Sequence, residues 1–237
     1  MSPHTPILTF SPADGPTWHS GSERLHHKQL MAKLLDLKLS APAVSIVPDI
    51  VRGIQRQGHG GMLVVLPGSA GIDEDRSLTV KPDFRFDPPM VLLRDAMAML
   101  EQVQALIPPA PELIAAAAGD VTGHMEFVAG LAGADGAVVI DSSLVVRAFG
   151  VFLERGDERS VSEANRIDPT TLEATRAQVP GGTRHRSAAA WCANRGASAG
   201  AGDEAVVFTV SEDGVASAFV PISDYPFVSY LRPLDLG

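Results

Sequence analysis

A glycine pair followed by four polar residues, Gly181 to Arg186, limits most strongly what this chain can fold into and bind. Two consecutive glycines allow the backbone to turn sharply and to approach a ligand closely. The next residues, Ser187 to Ala193, are mostly small and apolar and predict a helix. A helix start presents unpaired N–H groups and a partial positive charge, and Arg184, His185 and Arg186 lie on this start. The stretch therefore predicts an anion site, most simply for phosphate, although a basic surface loop would have the same composition.

The formal net charge of the whole chain is −9, so this basic stretch lies in an acidic background. An acidic balance disfavours a broad nucleic-acid-binding surface but allows one small anionic ligand in a basic pocket. A single cysteine, Cys192, excludes an internal disulfide and, in its apolar helical run, is expected to be a core residue. No apolar run reaches the roughly 18 residues of a membrane span, and Met1 to Pro16 lacks the pattern of a signal peptide. These features predict a cytoplasmic protein without a membrane span.

Apolar spacing predicts several helices in the first half of the chain. The first 43 residues are interpreted as a loosely held arm and a helix capped by Ser22, and a second helix is predicted from Val44 to Gln57. The apolar run Met62 to Leu66 predicts a buried strand. In the glycine-rich turn before it, His59 could touch a ligand, but a structural hydrogen bond is the preferred interpretation. Further predicted elements are a short strand at 78–80, a helix opened by Pro88 and Pro89 and running to Leu106, and an alanine-rich helix near Glu112 to Ala118.

The second informative stretch runs from Gly133 to Asp141, where an Asp-Gly turn opens an apolar, β-branched strand. A carboxylate at the mouth of a buried strand, here Asp135, is a common place for a metal or a catalytic group. Asp-Gly is also one of the commonest turn pairs, so the turn alone decides nothing. The other predicted elements of this half are a strand from Leu144 to Leu153, a polar loop with a short helix from Glu154 to Val179, a strand from Ala205 to Val210, its hairpin partner from Ala216 to Val220, and an irregular tail from Pro221 to Gly237.

Three pieces of this chain stand in a fixed order: Asp135-Gly136-Ala137 before a strand, Gly182 to Arg186 before a helix, and Ser211-Glu212-Asp213 after a strand. This order resembles the diadenylate cyclase (DAC) domain family, which carries a DGA motif, a GTRHR motif and a Ser-Glu-Glu motif. The resemblance covers about Val44 to Val220 and is strongest from Gly133 onward. It includes the glycine-rich turn that enters the first core strand.

The resemblance implies an α/β fold with a mixed central β-sheet flanked by helices and with a helical N-terminal extension. It divides the chain into a flexible arm and N-terminal helix, residues 1–43, and a DAC-like nucleotide-binding and cyclase domain, residues 44–237. Two positions depart from the family pattern. Ala134 stands where the family commonly has histidine, and Asp213 is one methylene shorter than the family's second glutamate.

The family condenses two ATP molecules into cyclic di-AMP and releases pyrophosphate. The resemblance therefore implies ATP as substrate, Mg²⁺ or Mn²⁺ as cofactor, and a face-to-face homodimer or higher homo-oligomer. A 3′-hydroxyl must attack an α-phosphorus in line, so catalysis is mostly positioning and charge neutralisation. The implied catalytic residues are Asp135, Thr183, Arg184, His185, Arg186 and Glu212, with Asp135 and Glu212 at the metal. The implied ATP-binding residues are Gly136, Ala137, Phe152, Leu153, Gly182 and Ser211, of which Gly136, Ala137, Phe152 and Leu153 would surround the adenine.

Two other functions remain open at the level of sequence. A non-catalytic DAC-like nucleotide sensor would keep the phosphate clamp and lose turnover. An interaction module would use the helical N-terminal half to bind a protein partner. The presence of Asp135 beside a complete clamp from Thr183 to Arg186 favours the cyclase, because a sensor under no catalytic demand could lose that carboxylate.

Overall fold

The computed structural model of this chain describes most of the residues between Ala41 and Leu231. The described residues are 8–11, 15–18, 41–67, 78–79, 84–108, 110–153, 163–167, 174–179, 182–198, 205–221 and 228–231. The helix predicted to begin at Ser22 lies outside these residues, and so does Gly181. Within the predicted arm, two short strands, β1 (Leu8–Ser11) and β2 (Gly15–Trp18), pair antiparallel.

A mixed β-sheet organises the described part of the chain. Its strands are β3 (Gly61–Leu66), β4 (Leu78–Thr79), β5 (Arg85–Met90), β6 (Ala137–Asp141), β7 (Val146–Leu153), β8 (Glu163–Ile167), β9 (Ala174–Gln178), β10 (Val206–Val210), β11 (Ala216–Pro221) and β12 (Val228–Leu231). The described helices are α1 (Ala41–Gln57), α2 (Leu92–Gln104), α3 (Pro111–Leu131) and α4 (Thr183–Ser198). The strand order is β4-β7-β6-β3-β10-β11-β12-β8-β9, and β5 also pairs with β7. β3 pairs parallel with β6, and β12 with β8, whereas the remaining neighbours are antiparallel. The chain is therefore an α/β protein with a mixed sheet.

Helices cover both faces of the sheet, and the side-chain alternation of β3 shows how. Leu63 and Val65 belong to a core that also contains buried residues of α1, α2 and α3. Met62, Val64 and Leu66 belong to a second core with α4. Successive side chains of a strand point to opposite faces, so a strand covered on both sides is apolar throughout. This explains why β3 is a continuous apolar run, as the sequence predicted.

Cys192 lies in the core between α4 and the sheet, which confirms the prediction made from its apolar surroundings. Burial raises the pKa of its thiol far above the ordinary range, and the positive charge of Arg195 opposes this only in part. The thiolate is the reactive form of cysteine, so Cys192 is a packing residue and not a nucleophile.

Several predicted elements are confirmed with small shifts at their ends. These are α1, β3, β4, β6, β7, β10 and β11, whereas α4 is present but begins four residues before and ends five residues after the predicted run from Ser187 to Ala193. A turn at Ser142-Ser143 joins β6 to β7, and the two strands pair antiparallel.

The prediction that Pro88 and Pro89 open a helix is wrong. Both residues lie in β5, and the helix begins only at Leu92. β5 pairs with β7 through Arg85 and Met90 with an irregular register between them. Proline lacks the N–H that a regular ladder needs, and an irregular strand of this kind tolerates it.

α3 is far longer than the alanine-rich segment predicted near Glu112 to Ala118. Glycines at 119, 123 and 130 weaken its helix propensity, which made the sequence pattern unclear. Val121, Met125 and Val128 are nevertheless buried in the core at helical spacing. Tertiary packing therefore outweighs propensity here. Among the described residues, no helix is long and apolar enough to cross a lipid bilayer.

Two further segments differ from the sequence predictions. The region predicted as a polar loop with a short helix contains the antiparallel hairpin of β8 and β9. The tail predicted as irregular contributes β12, which lies between β11 and β8. These strands have weak apolar alternation, and the pairing of β12 with β8 joins segments that are distant in the sequence.

Candidate functional site

The ends of three neighbouring strands meet at one edge of the central sheet. β3 and β6 are parallel neighbours with Leu63 opposite Val138, so both strands begin at this edge. β10 is antiparallel to β3 with Val210 opposite Gly61, so β10 ends there. The segments before β3 and β6 and the turn after β10 therefore come together, although they are distant in the sequence.

A cleft of about 780 Å³ opens at this edge and also includes the start of α4. Its lining residues are Asp135, Gly182, Thr183, Arg184, His185, Val210, Ser211, Glu212 and Asp213. The structure thus brings the Asp-Gly turn, the GTRHR stretch and the Ser-Glu-Asp turn around one cavity. Val210 is a lining residue that the sequence analysis did not single out. It is the last residue of an apolar strand, and only the sheet topology places it here.

The start of α4 supplies the positive side of the cleft. The Arg186 N–H donates to the Gly182 carbonyl at 3.2 Å and closes the first helical turn. This turn contains no acidic residue, so no carboxylate within it offsets the partial positive charge of the helix end. Arg184 is half-buried and lines the cleft, whereas Arg186 is exposed and does not. The two arginines that the sequence treated alike therefore have different positions.

His185 lines the cleft but is mainly a buried residue, with only 4% of its surface exposed. Its Nε2 lies 3.3 Å from the Ser217 hydroxyl, and its ring meets Phe219 edge-on with 6.0 Å between centroids. Both partners belong to β11. His185 therefore attaches the first turn of α4 to the sheet, in addition to any contact with a ligand.

The turn between β10 and β11 is held by its own hydrogen bonds. The Ser211 N–H donates to the Val215 carbonyl at 3.0 Å, and the Gly214 N–H donates to the Ser211 carbonyl at 2.9 Å. The Ser211 hydroxyl bonds to the Asp213 carboxylate and lies 2.9 Å from the Val215 carbonyl oxygen. These bonds fix the turn and leave Glu212 exposed on the cleft wall.

The four residues expected around an adenine lie at the same edge but do not line the cleft. Ala137 pairs with Val151, so Phe152 and Leu153 follow directly beside the start of β6. Ala137 and Leu153 are buried in the core on the α4 side, and Phe152 is 40% exposed.

Gly136, the remaining member of that set, has a structural constraint of its own. Its φ is +111°, and a Cβ there would lie 2.5 Å from the carbonyl carbon of Gly150. The close backbone approach of β6 and β7 therefore requires glycine at this position.

Gly60 is a residue of the site that the sequence analysis did not assign. It is buried with a φ of +69°, and a Cβ there would lie 2.7 Å from the Val210 carbonyl oxygen and 3.2 Å from Arg184 Nη1. The turn before β3 therefore lies directly against the Arg184 guanidinium. The sequence feature that indicated Gly60 was the cluster of glycines around His59, because glycine allows the backbone to approach a neighbouring segment or ligand closely.

The donor set of the cleft fits a divalent metal ion bound together with phosphate. Asp135 and Glu212 offer hard carboxylate oxygens, which Mg²⁺ and Mn²⁺ prefer. Among the described residues, no group of three or more His, Cys, Asp or Glu side chains could hold a metal alone. Mg²⁺ is commonly bound by one or two carboxylates and completed by substrate phosphates, and this smaller set is present.

The cleft therefore combines a helix start and a half-buried arginine with carboxylates in the loop before β6 and in the turn after β10. Such a combination suits a polyphosphate that carries a divalent ion. Neither a protein-family model nor a curated protein matches this chain, so its function is argued from the cleft itself.

Proposed function

We propose that this chain is a diadenylate cyclase that condenses two ATP molecules into cyclic di-AMP. The observation that carries the proposal is the common cleft of Asp135, the α4 start and the turn at Ser211 to Asp213. These are the same three segments that carry the resemblance to the DAC domain in the sequence. ATP as substrate would also fit the cytoplasmic location expected from the sequence.

The start of α4 would bind the phosphates. The first N–H groups of a helix generally lack intrahelical acceptors and would face the phosphates, and charge-assisted bonds from Arg184 would add to them. Thr183 offers a hydroxyl donor on the same turn. His185 would act mainly through its bond to Ser217, which fixes the orientation of this turn on β11. Arg186, exposed outside the cleft lining, is assigned a weaker role than Arg184.

Asp135 and Glu212 would hold the divalent ion. Mg²⁺ or Mn²⁺ bound there would neutralise phosphate charge during the transfer. Asp135 is suited to this role because it is exposed at the mouth of the buried strand β6. Glu212 is suited because the turn around it is fixed by backbone and side-chain bonds.

The reaction is reciprocal. The 3′-oxygen of each ATP forms a bond to the α-phosphorus of the other, and the bond from that phosphorus to the β-phosphate oxygen breaks. Two pyrophosphates leave, and the two hydroxyl protons are released. A chain with one copy of each motif offers one ATP site, so we assign the complete reaction to two chains facing each other across a two-fold axis.

Purified protein incubated with ATP and either Mg²⁺ or Mn²⁺ tests the proposal, with cyclic di-AMP detected by mass. We expect product from the unmodified chain and a loss of at least about a hundredfold in Asp135→Asn, the scale of removing one preorganised electrostatic group. ATP binding to Asp135→Asn should stay within about tenfold, because the phosphate clamp is elsewhere.

Asp120→Asn is the matched control, because Asp120 is an exposed carboxylate on α3 outside the cleft lining. Product formation by Asp135→Asn at the normal rate would contradict the assignment of this carboxylate. ATP binding by the unmodified chain without any product would favour the nucleotide sensor instead.

A further inference from the structure

His59 contacts the short segment that carries Asp135. A Cβ placed on Gly133 would lie 2.8 Å from His59 Cε1 and 2.9 Å from His59 Nε2. The imidazole therefore lies against the backbone of Gly133, two residues before the carboxylate. The other side of the ring is bonded to its own turn, with Nδ1 2.8 Å from the Gly60 carbonyl oxygen. A neutral ring that donates from Nδ1 satisfies this bond.

Gln57 extends the contact from His59 to the end of α3. In the orientation that satisfies both ends of its amide, Gln57 donates to His59 Nε2 at 2.9 Å and to the Ala129 carbonyl at 3.2 Å. The amide oxygen accepts from the Gly130 N–H at 3.0 Å. His59 and Gln57 thus hold the last turn of α3 and the first residue of the following loop.

The sheet explains why these two turns are neighbours. β3 and β6 are parallel and adjacent, so the turns that enter them run side by side. Their approach is close elsewhere as well, since a Cβ on Gly61 would lie 3.0 Å from the Ala132 carbonyl oxygen. The loop from Gly133 to Gly136 therefore has the β3 turn as one wall, and the His59 ring is the part of that wall nearest to Gly133.

We propose that His59 is a positioning residue that sets where Asp135 stands in the cleft. The ring limits how far the loop can move toward β3, and Gln57 fixes the ring by occupying Nε2. The cyclase role of Asp135 comes from the proposed function, on which this inference rests. The contact itself is a property of the described residues and can be tested without turnover.

Four variants test the contact: His59→Ala, His59→Asn, Gly133→Ala and the double variant His59→Ala/Gly133→Ala. We expect His59→Ala to lower kcat about tenfold and to raise the KM for metal-bound ATP by a smaller factor, because a misplaced catalytic group affects the chemical step more than binding. Asparagine can replace Nδ1 as the donor to Gly60 but lacks the atoms that face Gly133. His59→Asn should therefore be as impaired as His59→Ala, whereas a role confined to the β3 turn predicts rescue.

Gly133→Ala should lower kcat to a similar extent, because its methyl group needs the space of the ring. Removal of the ring relieves the two shortest contacts and leaves the Gly130 carbonyl oxygen 3.2 Å from the methyl group. The double variant should therefore be about as active as His59→Ala alone, and not about a hundredfold below the unmodified chain as independent effects would give. His124→Ala, a histidine on α3 outside the cleft lining, is the control and should leave kcat unchanged.

A binding measurement separates this inference from the proposed reaction. Mn²⁺ should increase ATP affinity in the unmodified chain, and His59→Ala and Asp135→Asn should both reduce that increase, while metal-free ATP affinity stays the same. This result would support the positioning role even if the unmodified chain formed no cyclic di-AMP. A normal Mn²⁺ effect in His59→Ala, rescue by His59→Asn, or fully multiplicative effects in the double variant would overturn it.

Discussion

Gly60 links the backbone conformation of the turn before β3 to the proposed phosphate clamp, because it has a positive φ and lies against Arg184. Its φ of +69° costs any other residue about 1 kcal/mol or more. A methyl group would also collide with the Val210 carbonyl oxygen and press on Arg184 Nη1. The turn is therefore restricted to glycine for two separate reasons, of which the second concerns the cleft.

Gly58 is a control that has the backbone strain without the steric clash. Its φ is +73°, but a Cβ there would have no neighbour within 4 Å. We expect Gly58→Ala to lower the free energy of unfolding by about 1 kcal/mol and Gly60→Ala by about 3 kcal/mol, since overpacking adds to the backbone strain. Gly60→Ala should also weaken ATP binding. Chemical denaturation and calorimetric titration of both variants measure this, and equal losses of stability would contradict the steric argument.

At the scale of single residues, the sequence predicted most of the cleft lining but not how each residue is used. Asp135 and Arg184 could be selected because their charges sit beside a turn or a helix start, which are local signals, whereas Glu212 was implied only by the family resemblance. The burial of His185 could not be predicted, because it depends on Ser217 and Phe219 of a strand that follows much later.

At the scale of secondary structure, α4 concentrates the proposed phosphate contacts in one turn. Arg184→Ala should weaken ATP affinity about ten- to hundredfold, the range for bonds to a charged group. Arg186→Ala should weaken it less, because Arg186 does not line the cleft. Arg195→Ala is the matched control at the other end of the helix, where the guanidinium lies 5.0 Å from the centroid of the Trp191 ring. Calorimetric titration gives the three affinities, and an unchanged affinity in folded Arg184→Ala would exclude the clamp.

The elements that the sequence predicted correctly share one physical property. β3, β6 and β10 are apolar runs bounded by turn residues, so both their length and their burial are encoded locally. β8, β9 and β12 lack that pattern and were missed, and the β12–β8 pair also joins distant parts of the chain. The predicted α3 was too short because its glycines have low helix propensity, whereas packing against the core stabilises the full helix.

At the scale of the whole molecule, the proposed reaction predicts that activity depends on chain concentration. If pairing is weak, the initial rate per chain should rise on concentration until two-fold pairs saturate, because a single chain can bind ATP but cannot complete the exchange. Light scattering across the same dilution series reports the mass. A constant rate per chain with only monomer present would exclude the two-chain reaction.

Mixtures of chains give the complementary test. Asp135→Asn added to unmodified chain should reduce the activity of the latter, because mixed pairs carry one defective site. Asp120→Asn added in the same proportion should have no such effect, since its substitution lies outside the cleft lining.

The central position of β3 also has a consequence for how the cleft comes into being. β3 is an early strand of the sheet, yet its two neighbours, β6 and β10, come from much later in the chain. Contacts between such distant segments raise the contact order, which slows folding, and they cannot form until the later strands have been synthesised. A nascent chain would thus hold β3 without β6 until residue 141, and without β10 until residue 210, has been synthesised. The proposed nucleotide cleft would therefore form only after β10 has joined β3, as a property of the assembled sheet rather than of any early folding unit.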